Sequence, residues 1–112
     1  MVEIQLSNEF LEEFSRIERR AERGNGEAKY LLKIIDKGIA KLSVNIRAGQ
    51  EIQHHLWPEC YKANCDVTNL WRLRLDSSWR MLYTARGDHV RIVAFVIDVV
   101  DHRRYDRMFG YQ

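Results

Sequence analysis

The chain has 112 residues, 18 of them Lys or Arg and 16 Asp or Glu, with one Pro and 46% hydrophobic content, which describes one compact domain over 1–112. A formal net charge of +2 excludes both an acidic solvating tail and a histone-like polycation, so any affinity for phosphate has to come from local clustering. The longest uncharged apolar run, Ile92 to Ile97, is far short of the roughly 20 residues a membrane-spanning helix needs. The start, Met1-Val2-Glu3-Ile4, lacks the basic and apolar regions of a secretory signal; the expected location is the cytoplasm, where two cysteines do not make a disulfide framework.

Val2, Ile4 and Leu6 alternate with Glu3 and Gln5, the period of a half-buried strand, and Ser7 or Asn8 offers an oxygen to cap the helix that follows. In that helix Phe10, Leu11, Phe14, Ile17 and Ala21 fall at helical spacing. Glutamates sit at its start and arginines at its end, and Gly24-Asn25-Gly26 stops it. A second helix is marked by Leu31, Ile34, Ile35, Leu42 and Ile46, with Lys29, Lys33, Lys37 and Lys41 repeating every four residues on another face. From Gly49 to Asn69 no period holds, and Pro58 with His54, His55, Trp57, Cys60, Tyr61 and Cys65 predicts an irregular crossing loop.

Strands then take over. Trp71, Leu73 and Leu75 alternate with Arg72, Arg74 and Asp76, so the two arginines point the same way. A Ser77-Ser78 turn leads to a strand from Trp79 to Ala85, and Gly87-Asp88, between Arg86 and His89, makes a tight hairpin turn. Val90 to Val100 is apolar on both faces apart from Arg91 and Asp98, as in a central strand, and Asp101 caps a short last helix ended by Gly110. The expected fold is α+β: an N-terminal strand, a two-helix hairpin, a three-stranded antiparallel meander and a short C-terminal helix. With helices on one face of the sheet, the other face is expected to be free, and Arg72 and Arg74 project from it.

Charge is unevenly divided. Residues 1–68 hold ten basic and eleven acidic side chains, and residues 69–112 hold eight and five. All eight basic residues of the second part are Arg, whose planar fork of donors suits phosphate oxygens; all five Lys lie in the first part. A phosphate-binding sheet face and a merely solvated one both fit that asymmetry.

The stretch Asn69-Leu-Trp-Arg-Leu-Arg-Leu-Asp-Ser-Ser-Trp-Arg-Met-Leu-Tyr-Thr84, a hydrophobic strand, and then Asp101-His102-Arg103-Arg104-Tyr105 resembles the RelE/ParE superfamily of type II toxin-antitoxin toxins, most of all its RelE-like members. The motif-bearing part covers about 40 residues, and the helix hairpin before it agrees in order and size. The resemblance implies a toxin that cleaves messenger RNA on the ribosome without a metal or other cofactor. Its implied partners are a cognate antitoxin, mRNA and the ribosome, and its implied assembly a dimer or a toxin-antitoxin hetero-oligomer. The matching positions are Arg72 and Arg74 on one strand, Arg80 on the next, and Arg103 with Tyr105 after the last. Other branches inhibit DNA gyrase or act by binding alone, and fold does not choose among them.

The chemistry supplies its own reasons. Metal-independent RNA cleavage uses the neighbouring 2′-OH as nucleophile, so the protein must take a proton, stabilise a charged phosphorane and protonate the leaving oxygen. Arg72, Arg74 and Arg80 suit the second role, whereas an arginine makes a poor proton acceptor. His102 and Tyr105 are the candidates for proton transfer, with reference pKa values of about 6.5 and about 10. Each has a structural alternative: Tyr105 packing its ring under the sheet, His102 bonding backbone near the helix cap, Arg80 pairing with Asp98 or Asp101. Trp71 and Trp79 read as packing rather than base-stacking residues. No metal site is expected, because His54, His55, Cys60 and Cys65 do not follow a structural-zinc spacing. Arg86-Gly87-Asp88 is accounted for by the hairpin turn.

Overall fold

The computed structural model describes residues 2–64, 66–88 and 90–110. Cys65 and His89, singled out in the sequence, lie outside them. In chain order the elements are β1 (Glu3–Leu6), α1 (Asn8–Glu22), α2 (Gly26–Val44), β2 (Gln50–Glu51), a 3₁₀ turn (His54–Leu56), α3 (Glu59–Lys62), β3 (Trp71–Arg74), β4 (Trp79–Gly87), β5 (Ile92–Asp101) and α4 (His102–Phe109).

The helices form where the sequence places their caps. Ser7 Oγ accepts the Phe10 N–H at 3.0 Å and donates to the Ile97 carbonyl at 2.8 Å, so one hydroxyl caps α1 and binds it to β5. Asn25 Oδ1 accepts the Ala28 N–H at 2.9 Å to start α2. Gly38 lets α2 come close to the sheet: a Cβ there would lie 2.5 Å from Leu75 Cδ2. Asp101 accepts the Arg104 N–H at 2.9 Å to start α4, and Gly110, at φ +75°, ends it.

The sheet is mixed and has five strands in the order β1-β5-β4-β3-β2. β1 runs parallel to β5, from Glu3 opposite Val93 to Leu6 opposite Val96; the other pairs are antiparallel. The expected three-stranded meander is β3-β4-β5, to which β1 adds on one side and β2 on the other. β2 lay inside the stretch expected to be an irregular loop. Two residues carry no alternation to detect, and they become a strand only because Gln50 finds Arg72 and Glu51 finds Trp71.

The second sheet face is not free as expected. α1 and α2 cover one face through Phe10, Ile17, Leu31, Ile35 and Leu42, which meet Leu73, Met81, Tyr83 and Val99. On the opposite face Ile52, Trp57, Val67 and Leu70 of the crossing segment pack with Leu82, Val100, Tyr105 and Phe109. Trp57 is buried there, with its indole N–H donating to the Ile52 carbonyl at 2.8 Å. The second core is invisible to periodicity because half of it comes from irregular backbone. What it leaves open is the end of the face that carries the arginines. Trp71 and Trp79 pack against the first core, as read from the sequence.

A candidate nucleic-acid cleft

Register builds the site. Arg74 of β3 stands directly opposite Arg80 of β4, and Arg72 opposite Leu82. Arg72, Arg74 and Arg80 therefore share the face away from α1 and α2, with the Arg74 and Arg80 Cβ atoms about 5 Å apart as for any directly opposed pair. Like charges placed so oppose each other, and an anion between them relieves the repulsion.

These three arginines line a cleft of about 570 Å³ together with Lys41 from the end of α2, Gln50 of β2, and His102, Tyr105 and Asp106 of α4. Four fixed cations face one carboxylate. Arg72 is clamped: its guanidinium donates to the Tyr105 hydroxyl at 2.5 Å and to Gln50 Oε1 at 3.1 Å. The Tyr105 ring is buried and stacks on Phe109 with centroids 4.4 Å apart. The Arg72 and Arg80 guanidinium carbons lie 5.7 Å and 6.0 Å from its centre. Ring packing and presence at the cleft, alternatives in the sequence, are thus both true of Tyr105.

Arg80 folds back on the β3–β4 turn, donating through one terminal nitrogen to the carbonyls of Asp76 (3.2 Å), Trp79 (3.4 Å) and Ser77 (3.5 Å). It pairs with neither Asp98 nor Asp101. Asp98 is taken by Arg104 at 2.9 Å, and Asp101 caps α4. Among the described residues neither Arg74 nor Arg80 has a carboxylate within 4 Å. Burial pushes the Asp98 carboxyl above its usual range, and Arg104 works against that shift.

Arg103 is not part of the cleft. His102, Tyr105 and Asp106 are spaced i, i+3 and i+4 on α4 and share one face, whereas Arg103 is turned about 100° from His102 and is exposed. Consecutive in the chain, the two side chains leave the helix in different directions. Lys41, Gln50 and Asp106 are cleft residues the sequence reading missed. Lys41 was visible only as the last of a lysine series, with nothing to say that it lines the cleft.

The turn that holds Arg80 is itself fastened. Asp76 accepts the N–H groups of Ser78 (2.8 Å) and Trp79 (2.7 Å) with one oxygen and the Tyr30 hydroxyl (2.6 Å) with the other, tying the turn to α2. Burial pushes this carboxyl up, but the bonds from Tyr30, Ser78 and Trp79 and the nearby Arg80 charge outweigh it and leave it below its ordinary range. We expect Asp76→Ala to cost about 1 kcal/mol at neutral pH, the value of a capping carboxylate. With a lowered folded pKa, the contribution is full above the ordinary carboxylate range and disappears as pH falls through the folded value. Urea unfolding of wild type and variant at neutral and acid pH checks this: the gap between them narrows in acid, and a gap that stays constant refutes the charge-dependent part.

Among the described residues no group of His, Cys, Asp and Glu is arranged to hold a metal. In the crossing segment His54 packs on Trp57 with ring centroids 4.6 Å apart, and Cys60 is an exposed free thiol. No described helix is long and apolar enough to cross a membrane.

Neither the protein-family models nor the curated proteins give a match to the sequence. A solved structure does: the YoeB/ParE toxin from Agrobacterium tumefaciens superposes with a TM-score of 0.58 at 14% identity, over 90% of this chain and 99% of that one. The chain has a RelE/ParE-like toxin fold. The architecture the motifs implied is therefore present, with two strands more in the sheet than the meander alone. At that identity the RelE/ParE-like fold is what the two chains share, and the role of each cleft residue rests on its own geometry.

Proposed function

We propose that this protein is the toxin of a type II toxin-antitoxin pair and acts as a metal-independent endoribonuclease on ribosome-bound mRNA. The observation that carries the reading is the convergence of Arg72, Arg74 and Arg80 from two strands, with His102 and Tyr105 from α4, on one open cationic cleft.

In this reading the scissile phosphate lies between Arg74 and Arg80. The 2′-oxygen of the preceding nucleotide attacks phosphorus, the bond to the 5′-oxygen breaks, and the products are a 2′,3′-cyclic phosphate and a 5′-hydroxyl end. The guanidinium groups stabilise the negative charge that builds on the equatorial oxygens, a task for preorganised donors. His102, at the rim of the cleft, takes the proton from the 2′-OH. Tyr105, whose oxygen accepts a hydrogen bond from Arg72, gives its hydroxyl proton to the departing 5′-oxygen. Arg72 also positions that hydroxyl, since the same guanidinium is fixed by Gln50.

The partners follow from the same reading: a cognate antitoxin that lays a helix or strand over the cleft, and the ribosome with its mRNA in the cytoplasm. The decisive experiment adds purified protein to translating ribosomes and maps the mRNA ends. Codon-spaced cuts with 2′,3′-cyclic phosphate termini are expected. Absence of cuts, together with loss of gyrase supercoiling, would instead assign a toxin that acts by protein binding.

A further inference from the structure

Lys29, Lys33, Lys37 and Lys41 make a row on α2 that the cleft chemistry uses only at its end. We propose that this row is an RNA track continuous with the cleft, so that the strand gripped by the arginines runs on over Lys41, Lys37 and Lys33. The inference rests on the nuclease reading and extends its substrate to a segment longer than the nucleotides flanking the cut.

Helix geometry gives the row its direction. Each four-residue step rises about 6 Å along the axis, the scale of the distance between neighbouring phosphates in an extended strand, and turns about 40° around it. The row therefore winds toward the flank of α2 that faces β3 and β4. Two contacts mark that flank: Tyr30 donates to Asp76 in the β3–β4 turn, and Gly38 packs on Leu73, Leu75 and Met81. Lys37 and Lys41 stand seven and eleven residues from Tyr30, on the same face of the helix, and Lys41 ends at the cleft itself.

Charge supplies the occupant. In α1, Arg16 pairs with Glu12 and Glu13 along the helix. In α2 the four lysines are exposed and, among the described residues, none has a carboxylate within 4 Å; the acidic residues of the helix are Glu27 and Asp36. A helix face of exposed lysines whose last member, Lys41, lines a cleft that also holds Arg72, Arg74 and Arg80 fits a polyanion long enough to occupy both.

The test is a binding titration by fluorescence anisotropy with 2′-O-methyl oligouridylates, which lack the nucleophile and stay intact. A trinucleotide fills the cleft alone; a dodecamer reaches the helix. The Lys33→Ala/Lys37→Ala protein is expected to bind the dodecamer about tenfold more weakly, with the slope of log affinity against log salt reduced by about 1.4, the value for two lost phosphate contacts on a single strand. Its affinity for the trinucleotide and its melting temperature are expected to match wild type, and the Lys33→Arg/Lys37→Arg protein to bind both as wild type does. Equal dodecamer affinity in wild type and the alanine protein overturns the track, as does an equal loss for both oligomers. Lysine-dependent binding of polyglutamate with no lysine-dependent RNA binding overturns it in favour of an acidic protein partner. If the alanine protein loses the dodecamer while Arg80→Ala leaves trinucleotide binding intact, the track stands and the nuclease reading of the cleft fails.

Discussion

Replacing Arg80 with Ala is expected to lower single-turnover mRNA cleavage on ribosomes by on the order of 10²-fold, the usual effect of removing one preorganised donor from a developing oxyanion. Its position supports so large an effect. The side chain is fixed on the β3–β4 turn by three carbonyls, one of which belongs to Asp76, itself bound to Ser78, Trp79 and Tyr30. Little reorganisation remains to be done when charge appears. Arg80→Lys keeps the charge but replaces a planar fork by a single point, so it is expected to recover only part of the rate. Stability is expected to change by less than about 1 kcal/mol, because the lost carbonyl bonds are offset by relief of the repulsion from Arg74 directly opposite. Arg103→Ala, outside the cleft, is expected to cleave as wild type does. Cleavage by Arg80→Ala at the wild-type rate would dismiss the phosphate role.

Gly49→Ala is expected to destabilise the fold by about 2 kcal/mol, in the range of overpacked sites. A Cβ at this position would fall 2.3 Å from the Arg72 carbonyl oxygen and 2.9 Å from the Tyr83 hydroxyl. The Tyr83 hydroxyl accepts the Gly49 N–H at 3.1 Å and donates to the Ile46 carbonyl at 2.8 Å, so it is held from both sides and cannot give way cheaply. The yielding part is the short β2 pairing, where Gln50 opposes Arg72. Loss of that pairing frees the Arg72 guanidinium from Gln50 as well, and RNA affinity is expected to fall with stability. Urea unfolding reads the first effect and oligonucleotide titration the second. Gly26→Ala is the control: nothing lies within 4 Å of a Cβ there, and its change is expected to stay within about 0.5 kcal/mol. Equal stabilities for the two variants would refute the close-packing account.

The parts of this molecule that were readable in the sequence are those whose signals are local. Ser7 and Asn25 cap helices from their own side chains, and the apolar stripe of α2 has the period of its helix. Arg72 and Arg74 lie on one side of β3 because a strand alternates, whatever it pairs with. The unreadable parts depend on pairing at a distance. β2 exists only through β3, and Trp57 is buried as a member of a core that also holds Ile52, Leu70 and Phe109, residues distant from one another in the chain. The cleft was divided in the same way: its arginines were marked by alternation, while Lys41 and Gln50 join them through tertiary packing alone. Arg103 was named with Tyr105 by the resemblance, and its place on the turn of α4 keeps it out of the cleft lining.

The parallel pairing of β1 with β5 sets the order in which a growing chain becomes competent. Glu3 meets Val93 across roughly 90 residues, and closing such a loop costs about 4 kcal/mol in chain entropy before any contact forms. During synthesis the first strand therefore emerges without its partner β5, and the helical hairpin without the sheet it covers. His102 and Tyr105 follow β5 and are translated after every arginine of the cleft. On the proposed mechanism, a polypeptide interrupted between β5 and α4 holds the three cleft arginines but neither His102 nor Tyr105, so cleavage is expected only once the final helix has been made.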